Sequence, residues 1–226
     1  MNWISASKNL STPHLFGQRM LTDNTFKLPL FPLQAVLFPG GLLSLKVFEA
    51  RYLDLVTHCL RSGERFGIVA LQAGSETGKN KTGEPPRMES TGVAAELMEV
   101  DSAQTGILQV RCKGVHRFDI KTSRQEADGL WVARVSRQAD DLDAAPTADM
   151  LDTVRALASA IASLKEQGSE PFLEPYRFGS ASWVANRWCE ILPISLTAKQ
   201  KLMELPDGLA RLQLVRDFLR NKGVVS

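Results

Sequence analysis

Ser195 and Lys199 stand four residues apart at the start of an amphipathic segment, so a helix there would bring a hydroxyl and an amine to one face. That is the least a Ser-Lys nucleophilic pair requires. The context favours another use, because Ser195 follows Pro193 and precedes a periodic apolar run, the position of an N-cap whose hydroxyl is committed to a backbone N–H. No second base and no set of oxyanion donors accompanies the pair. His14, His58 and His116 are dispersed, with no H-x-E, H-E-x-x-H or C-x-x-C arrangement to hold zinc. Cys112 and His116 on one strand would lie about 13 Å apart at ~3.3 Å per residue, too far to share a metal. The stretch GSETGKNK at 74–81 has glycine and lysine at the wrong spacing for a phosphate cradle, and no strand-to-helix frame follows it. These residues predict no catalytic centre, no metal and no cofactor.

Cys59, Cys112 and Cys189 are odd in number and widely spread, which fits reduced thiols rather than a disulfide framework. Cys59 continues a helical stripe with Tyr52, Val56 and Leu60, and Cys112 continues the apolar strand face of Leu108 and Val110. Both are expected in the core. Trp131, Trp183 and Trp188 sit within periodic segments and are expected there too. With 226 residues, 44% of them hydrophobic, the chain can bury a sizeable core. Lys+Arg total 27 against 25 for Asp+Glu, a net charge of +2 too balanced to imply a nucleic-acid or membrane partner by charge alone. No apolar run approaches the ~18 residues of a membrane span, and residues 1–19 lack a signal-peptide core. A cytoplasmic protein is expected.

The elements that would position any site centre on LPLFPLQAVLFPGGLLSLKVFEARY, residues 28–52. Pro29 and Pro32 remove two ladder donors, which places the first strand at a rim. Pro39-Gly40-Gly41 supplies a fixed φ and then two residues able to take positive φ, so the chain reverses before Leu43, Leu45 and Val47 alternate with Ser44 and Lys46. A helix from Glu49 to Ser62 stops at Gly63, and residues 66–71 form a covered strand. Further strands are predicted over 91–100, 107–113, 115–122 and 130–137. Residues 73–87 and the acidic break 140–146 lack periodic apolar residues and are expected to open at least cost. Helices follow: one over 150–164 closed by Gly168, one over 181–191 ended by Pro193, one capped by Ser195, and one opened by Asp207.

Three motifs in order, LPLFPL, VLFPGG and LKVFEARY, resemble the opening of the Lon N-terminal (substrate-binding) domain as found in stand-alone LON-domain proteins. GILQVRCKGVHRFDI and ANRWCEILPISLTAKQKLMEL resemble later segments of the same domain, so the likeness covers residues 28–219. Ala50 replaces the proline often found in the FE.RY group, which weakens the helix start slightly. The resemblance implies an α+β protein: a flexible arm over 1–25, a β-rich PUA-like pseudobarrel over 26–139, and an all-α helical domain over 147–222. It also implies a non-catalytic module that binds unfolded or partner polypeptide in a groove between the two parts, since the Lon ATPase module and Ser-Lys domain have no counterpart here. Phe48, Arg51 and Tyr52 of the FE.RY group are the candidate polypeptide contacts. The alternative is a PUA-like RNA-binding module, against which the near-neutral charge weighs.

Overall fold

A computed structural model describes residues 25–73, 86–142 and 144–225. The expected arm, apart from Thr25, lies outside those residues, as do His14, the GSETGKNK stretch and most of the predicted loop over 73–87. Seven strands come first: β1 (Thr25–Leu33), β2 (Leu42–Val47), β3 (Phe66–Ala73), β4 (Arg87–Met88), β5 (Thr91–Gln104), β6 (Ile107–Gln125) and β7 (Trp131–Arg137). Helix α1 (Ala50–Ser62) interrupts them; α2 (Leu151–Glu166), α3 (Ala181–Ile191), α4 (Leu196–Glu204) and α5 (Gly208–Asn221) follow. This is the expected α+β architecture.

The sheet runs β1-β7-β6-β5-β3, and β1 also pairs with β3 in parallel, which closes five strands into a small barrel. A ring that narrow has room for few side chains. Leu28, Leu30, Val69, Ala94, Phe118, Ala133 and Val135 form its interior cluster, and Phe118 fills the centre. A Cβ on Gly92 would lie 2.6 Å from the Phe118 ring, and one on Gly67 would meet the same ring at 2.6 Å. Two strands therefore omit side chains where Phe118 passes. The alternating residues of the same strands, among them Phe31, Phe66, Ile68, Val93 and Ala95, face outward into a second core continuous with α1 and the later helices. Period-two alternation thus builds two cores, one inside the ring and one between ring and helices.

Two expectations about the strands need correction. β1 lies at no rim, because residues 25–30 pair with β7 and residues 30–33 with β3. Pro29 and Pro32 are accommodated because each falls in a half with one neighbour, where a missing donor can face the unpaired side. The two strands predicted over 107–113 and 115–122 are one strand of 19 residues. Gly114 does not end it. Its N–H donates to the Gly41 carbonyl at 2.9 Å and its carbonyl accepts from Gly40 N–H at 2.8 Å, and the absence of a Cβ lets the Phe38 carbonyl approach.

Helix ends follow the predicted signals. Gly63 and Gly168 take φ of 70° and 75°, Ser195 Oγ accepts from Ala198 N–H at 3.2 Å, and Asp207 Oδ1 accepts from Leu209 and Ala210 N–H. All three cysteines are buried, and burial pushes the thiols of Cys59, Cys112 and Cys189 up to about 11, 12 and 12. Trp183 and Trp188 are buried, while Trp131 packs half-buried against the interior of the ring.

Because Gly92 faces both Phe118 and the Ile68 carbonyl, Gly92→Ala overpacks the ring and should lower unfolding stability by about 1–3 kcal/mol. Gly179→Ala, into open space, should change it by less than about 0.5 kcal/mol. Chemical denaturation of the two variants side by side checks both.

Candidate functional site

Strand β6 is longer than its neighbours on one side. β2 pairs with residues 108–113 and β7 with residues 118–125, while β5 on the other side passes from Arg117 to Gly114 across a bulge. Val115 and His116 thus have no strand partner on the β2/β7 side, while on the other side they stay within the β5–β6 ladder, opposite the bulge between Val93 and Ala95. A cleft of about 430 Å³ opens over this gap, with Lys113, Gly114, Val115 and Arg117 on one wall. Pro39-Gly40 forms a corner, and the opposite wall is the loop Leu173–Pro175 with Arg177 and the start of α3 at Ser180, Ser182 and Trp183. The cleft lies between the ring and the helices.

Its floor is ionic. Arg117 sits in β6, Asp141 in the segment leading to the helices, and Arg211 in α5; their side chains are 2%, 10% and 1% exposed. One carboxylate serves both guanidiniums: Asp141 Oδ1 accepts from Arg117 and Oδ2 accepts from Arg211 Nη1 at 2.7 Å. The remaining donors find backbone. Arg117 Nη1 reaches the carbonyls of Met203 at 3.1 Å and Leu205 at 2.9 Å, and Arg211 Nε reaches that of Leu202 at 2.7 Å. These are the last carbonyls of α4 and its C-cap, which a helix leaves without intrahelical partners and whose dipole end favours cations. Arg211 also donates to Asn186 Oδ1 at 2.8 Å.

A third buried arginine docks α3 on the Pro-Gly-Gly turn. Arg187 Nη2 donates to the Pro39 carbonyl at 3.0 Å and to Glu190 Oε1 at 2.8 Å, and Nη1 donates to the Gly40 carbonyl. Burial pushes the Glu190 carboxyl up to about 8 against the opposing pull of Arg187 and Lys199. Of the two glycines only Gly40 takes positive φ, at 73°. Gly41 is needed because any Cβ there would strike the Glu190 carboxylate and the Phe38 carbonyl. The turn is thus shaped by what docks on it.

Two residues of the acidic segment 140–146 are held in place: Asp141 is bound twice, and the Ala144 carbonyl accepts from Ala181 N–H at 2.8 Å. Nothing in its composition distinguished the buried aspartate from its exposed neighbour Asp140. The arginines left a fainter signal, since Arg187 and Arg211 interrupt apolar periodic runs, WVANRWCEI and LARLQLV.

The three candidate contacts lie elsewhere. Phe48, 56% exposed, stands at the end of β2 away from the cleft. Arg51 Nη1 donates to the Gly129 carbonyl and Nη2 to Glu49 Oε2, both at 2.8 Å, with its guanidinium over the Tyr52 ring. Tyr52 is 2% exposed and stacks on Phe31 with centroids 3.9 Å apart, so in this structure it packs α1 onto the ring. Ser195 and Lys199 are committed apart: Ser195 caps α4, and Lys199 Nζ donates to the Glu190 carbonyl at 2.8 Å. His58 meets Glu64 at the surface at 2.9 Å, and His116 is buried with Nδ1 unpartnered. Among the described residues no group of three His, Cys, Asp or Glu could hold a metal, and no helix is long and apolar enough to cross a membrane.

A closed five-stranded ring with a helical bundle locked onto it by buried arginines, and a cleft at the junction, defines a barrel-and-bundle domain. Residues 27–221 match the profile of the ATP-dependent protease La (LON) substrate-binding domain, and the chain belongs to that family. The Lon N-terminal domain protein from Xanthomonas campestris is similar in structure, with a TM-score of 0.66 and 30% identity over 85% of this chain and 98% of that one. The N-terminal domain of Mycobacterium avium complex Lon protease shares the fold at a TM-score of 0.59 and 14% identity, over 87% of this chain and 99% of that one. Comparison with curated proteins gives no match.

Two outcomes follow from the buried groups. Removing Asp141 leaves two guanidiniums without their carboxylate, so Asp141→Ala should cost about 3–5 kcal/mol. The variant should also become susceptible to protease between residues 140 and 146, which denaturation and limited proteolysis check together. For His116, burial lowers the pKa first, Arg137 and Arg65 lower it further, and Asp140 opposes them. The unfolded imidazole takes a proton near pH ~6.5 and the folded one only at lower pH, so stability is full above ~6.5 and falls as pH drops below it. His116→Gln should flatten that slope between pH 7 and 5.5 in pH-dependent unfolding.

Proposed function

We propose that this chain is a non-catalytic polypeptide-binding module that holds an extended segment of an unfolded or partner protein in the cleft between ring and helices. The observation that carries the reading is the gap beside β6: the cleft is lined by Val115 and Arg117 where β6 has no strand partner between β2 and β7, an open edge suited to a chain that brings its own N–H and C=O groups. Family membership supports it, since the family is described as substrate-binding. The commitment of Ser195 to α4 and of Lys199 to a carbonyl supports the absence of hydrolysis by that pair. Phe48 is a second, exposed anchor, roughly 20 Å away along the six residues of β2 at ~3.3 Å each.

Val115 is half-buried on the cleft wall, so Val115→Trp fills the cleft from a tolerant position. Wild-type protein should retain a permanently unfolded model protein and turn over neither casein nor ATP. Val115→Trp should abolish retention with the melting temperature kept, and Phe48→Ala should weaken it less. Retention unchanged in Val115→Trp contradicts the proposal, as does hydrolysis lost on substitution of a residue in this chain.

A further inference from the structure

The charged residues lining the cleft balance in number, Lys113, Arg117 and Arg177 against Asp140, Asp141 and Glu174, and cations behind the wall tip that balance. Two of its lining carboxylates are already neutralised from behind the wall: Asp140 by Arg137 at 2.7 Å and Glu174 by Lys165 at 2.7 Å, neither cation lining the cleft. Asp141 is shared between two guanidiniums, leaving one positive charge in excess, of which the C-terminal carbonyls of α4 offset about half. The N-terminus of α3, with Ser180, Ser182 and Trp183 on the wall, adds the positive end of a second dipole. Lys113 stands exposed at the rim, across from Glu96 of β5, whose carboxylate is taken by Arg65 at 2.9 Å. Cation excess, helix terminus and rim lysine thus converge on one partly enclosed space, where a charge is screened less than on open surface.

We propose that the cleft selects polypeptide segments bearing a carboxylate, either an acidic side chain or a free C-terminus, which it seats between Lys113 and the start of α3 above Arg117. This rests on the cleft being a polypeptide site and adds the chemistry it prefers. The open side of β6 between β2 and β7 argues for polypeptide over nucleic acid, because a strand edge complements main chain, and one or two excess charges are too few for a phosphate backbone.

The test uses four labelled ten-residue peptides of one sequence, with a central Glu or Gln and a free or amidated C-terminus, measured by fluorescence anisotropy. At least one carboxylate-bearing peptide should bind about tenfold tighter than the fully neutral one, and the pair that differs identifies the source of the carboxylate. Lys113→Glu should erase the preference and Lys113→Gln reduce it. Lys121→Glu, the same charge change at an exposed position off the cleft, should leave it intact. Equal binding of all four peptides, still blocked by Val115→Trp, overturns the carboxylate preference and leaves the polypeptide site standing. A preference that survives Lys113→Glu also overturns it. Binding of a single-stranded oligonucleotide with no binding of any peptide overturns both readings.

Discussion

The Asp141 carboxylate bridges two buried guanidiniums, and the geometry of the molecule depends on that bridge. Arg117 belongs to the ring and Arg211 to the last helix, while Asp141 belongs to the chain that passes between them. Each pairing alone would bury a charge at a cost of several kcal/mol, and the Coulombic return compensates only where the remaining donors are satisfied. Here the carbonyls of Leu202, Met203 and Leu205 satisfy them, so the bridge and the end of α4 complete each other. The relative position of ring and bundle is thereby set by directional contacts as well as by apolar packing. A cleft at their junction can keep its shape for that reason.

The same logic runs through the Pro-Gly-Gly turn. Gly40 supplies the left-handed residue, Gly41 leaves room for Glu190, and the carbonyls of Pro39 and Gly40 receive Arg187. The turn in addition closes on Gly114 and so ends the reach of β2 along β6. One side of the β6 gap is therefore made by the residues that anchor α3. Fold and cleft share their parts: the helix that braces the turn also presents its N-terminus to the space beyond it.

Much of the architecture was legible because it depends on local chemistry. Gly63 and Gly168 stop helices, Ser195 and Asp207 start them, and alternation marks the strands; each signal acts over a few residues. What escaped depends on partners distant in sequence. Pro29 and Pro32 indicate one-sided pairing but not that β1 changes partner midway. Gly114 resembles a strand break unless the turn that bonds it is known. Asp141 is indistinguishable from a surface aspartate until Arg117 and Arg211 arrive from 24 and 70 residues away. The FE.RY group drew attention to Phe48, Arg51 and Tyr52, yet the cleft draws on Lys113, Val115 and Trp183, which carry no sequence signature of a site.

Amide hydrogen exchange with and without a bound unfolded polypeptide tests the central claim most directly, because it reports on the β6 main chain itself. Binding in the cleft predicts slowed exchange at Val115 and His116 and at the start of α3, with the interior of the ring unchanged. Protection confined to the surface around Phe48 and α1, with the amides of 114–117 unaffected, would contradict it.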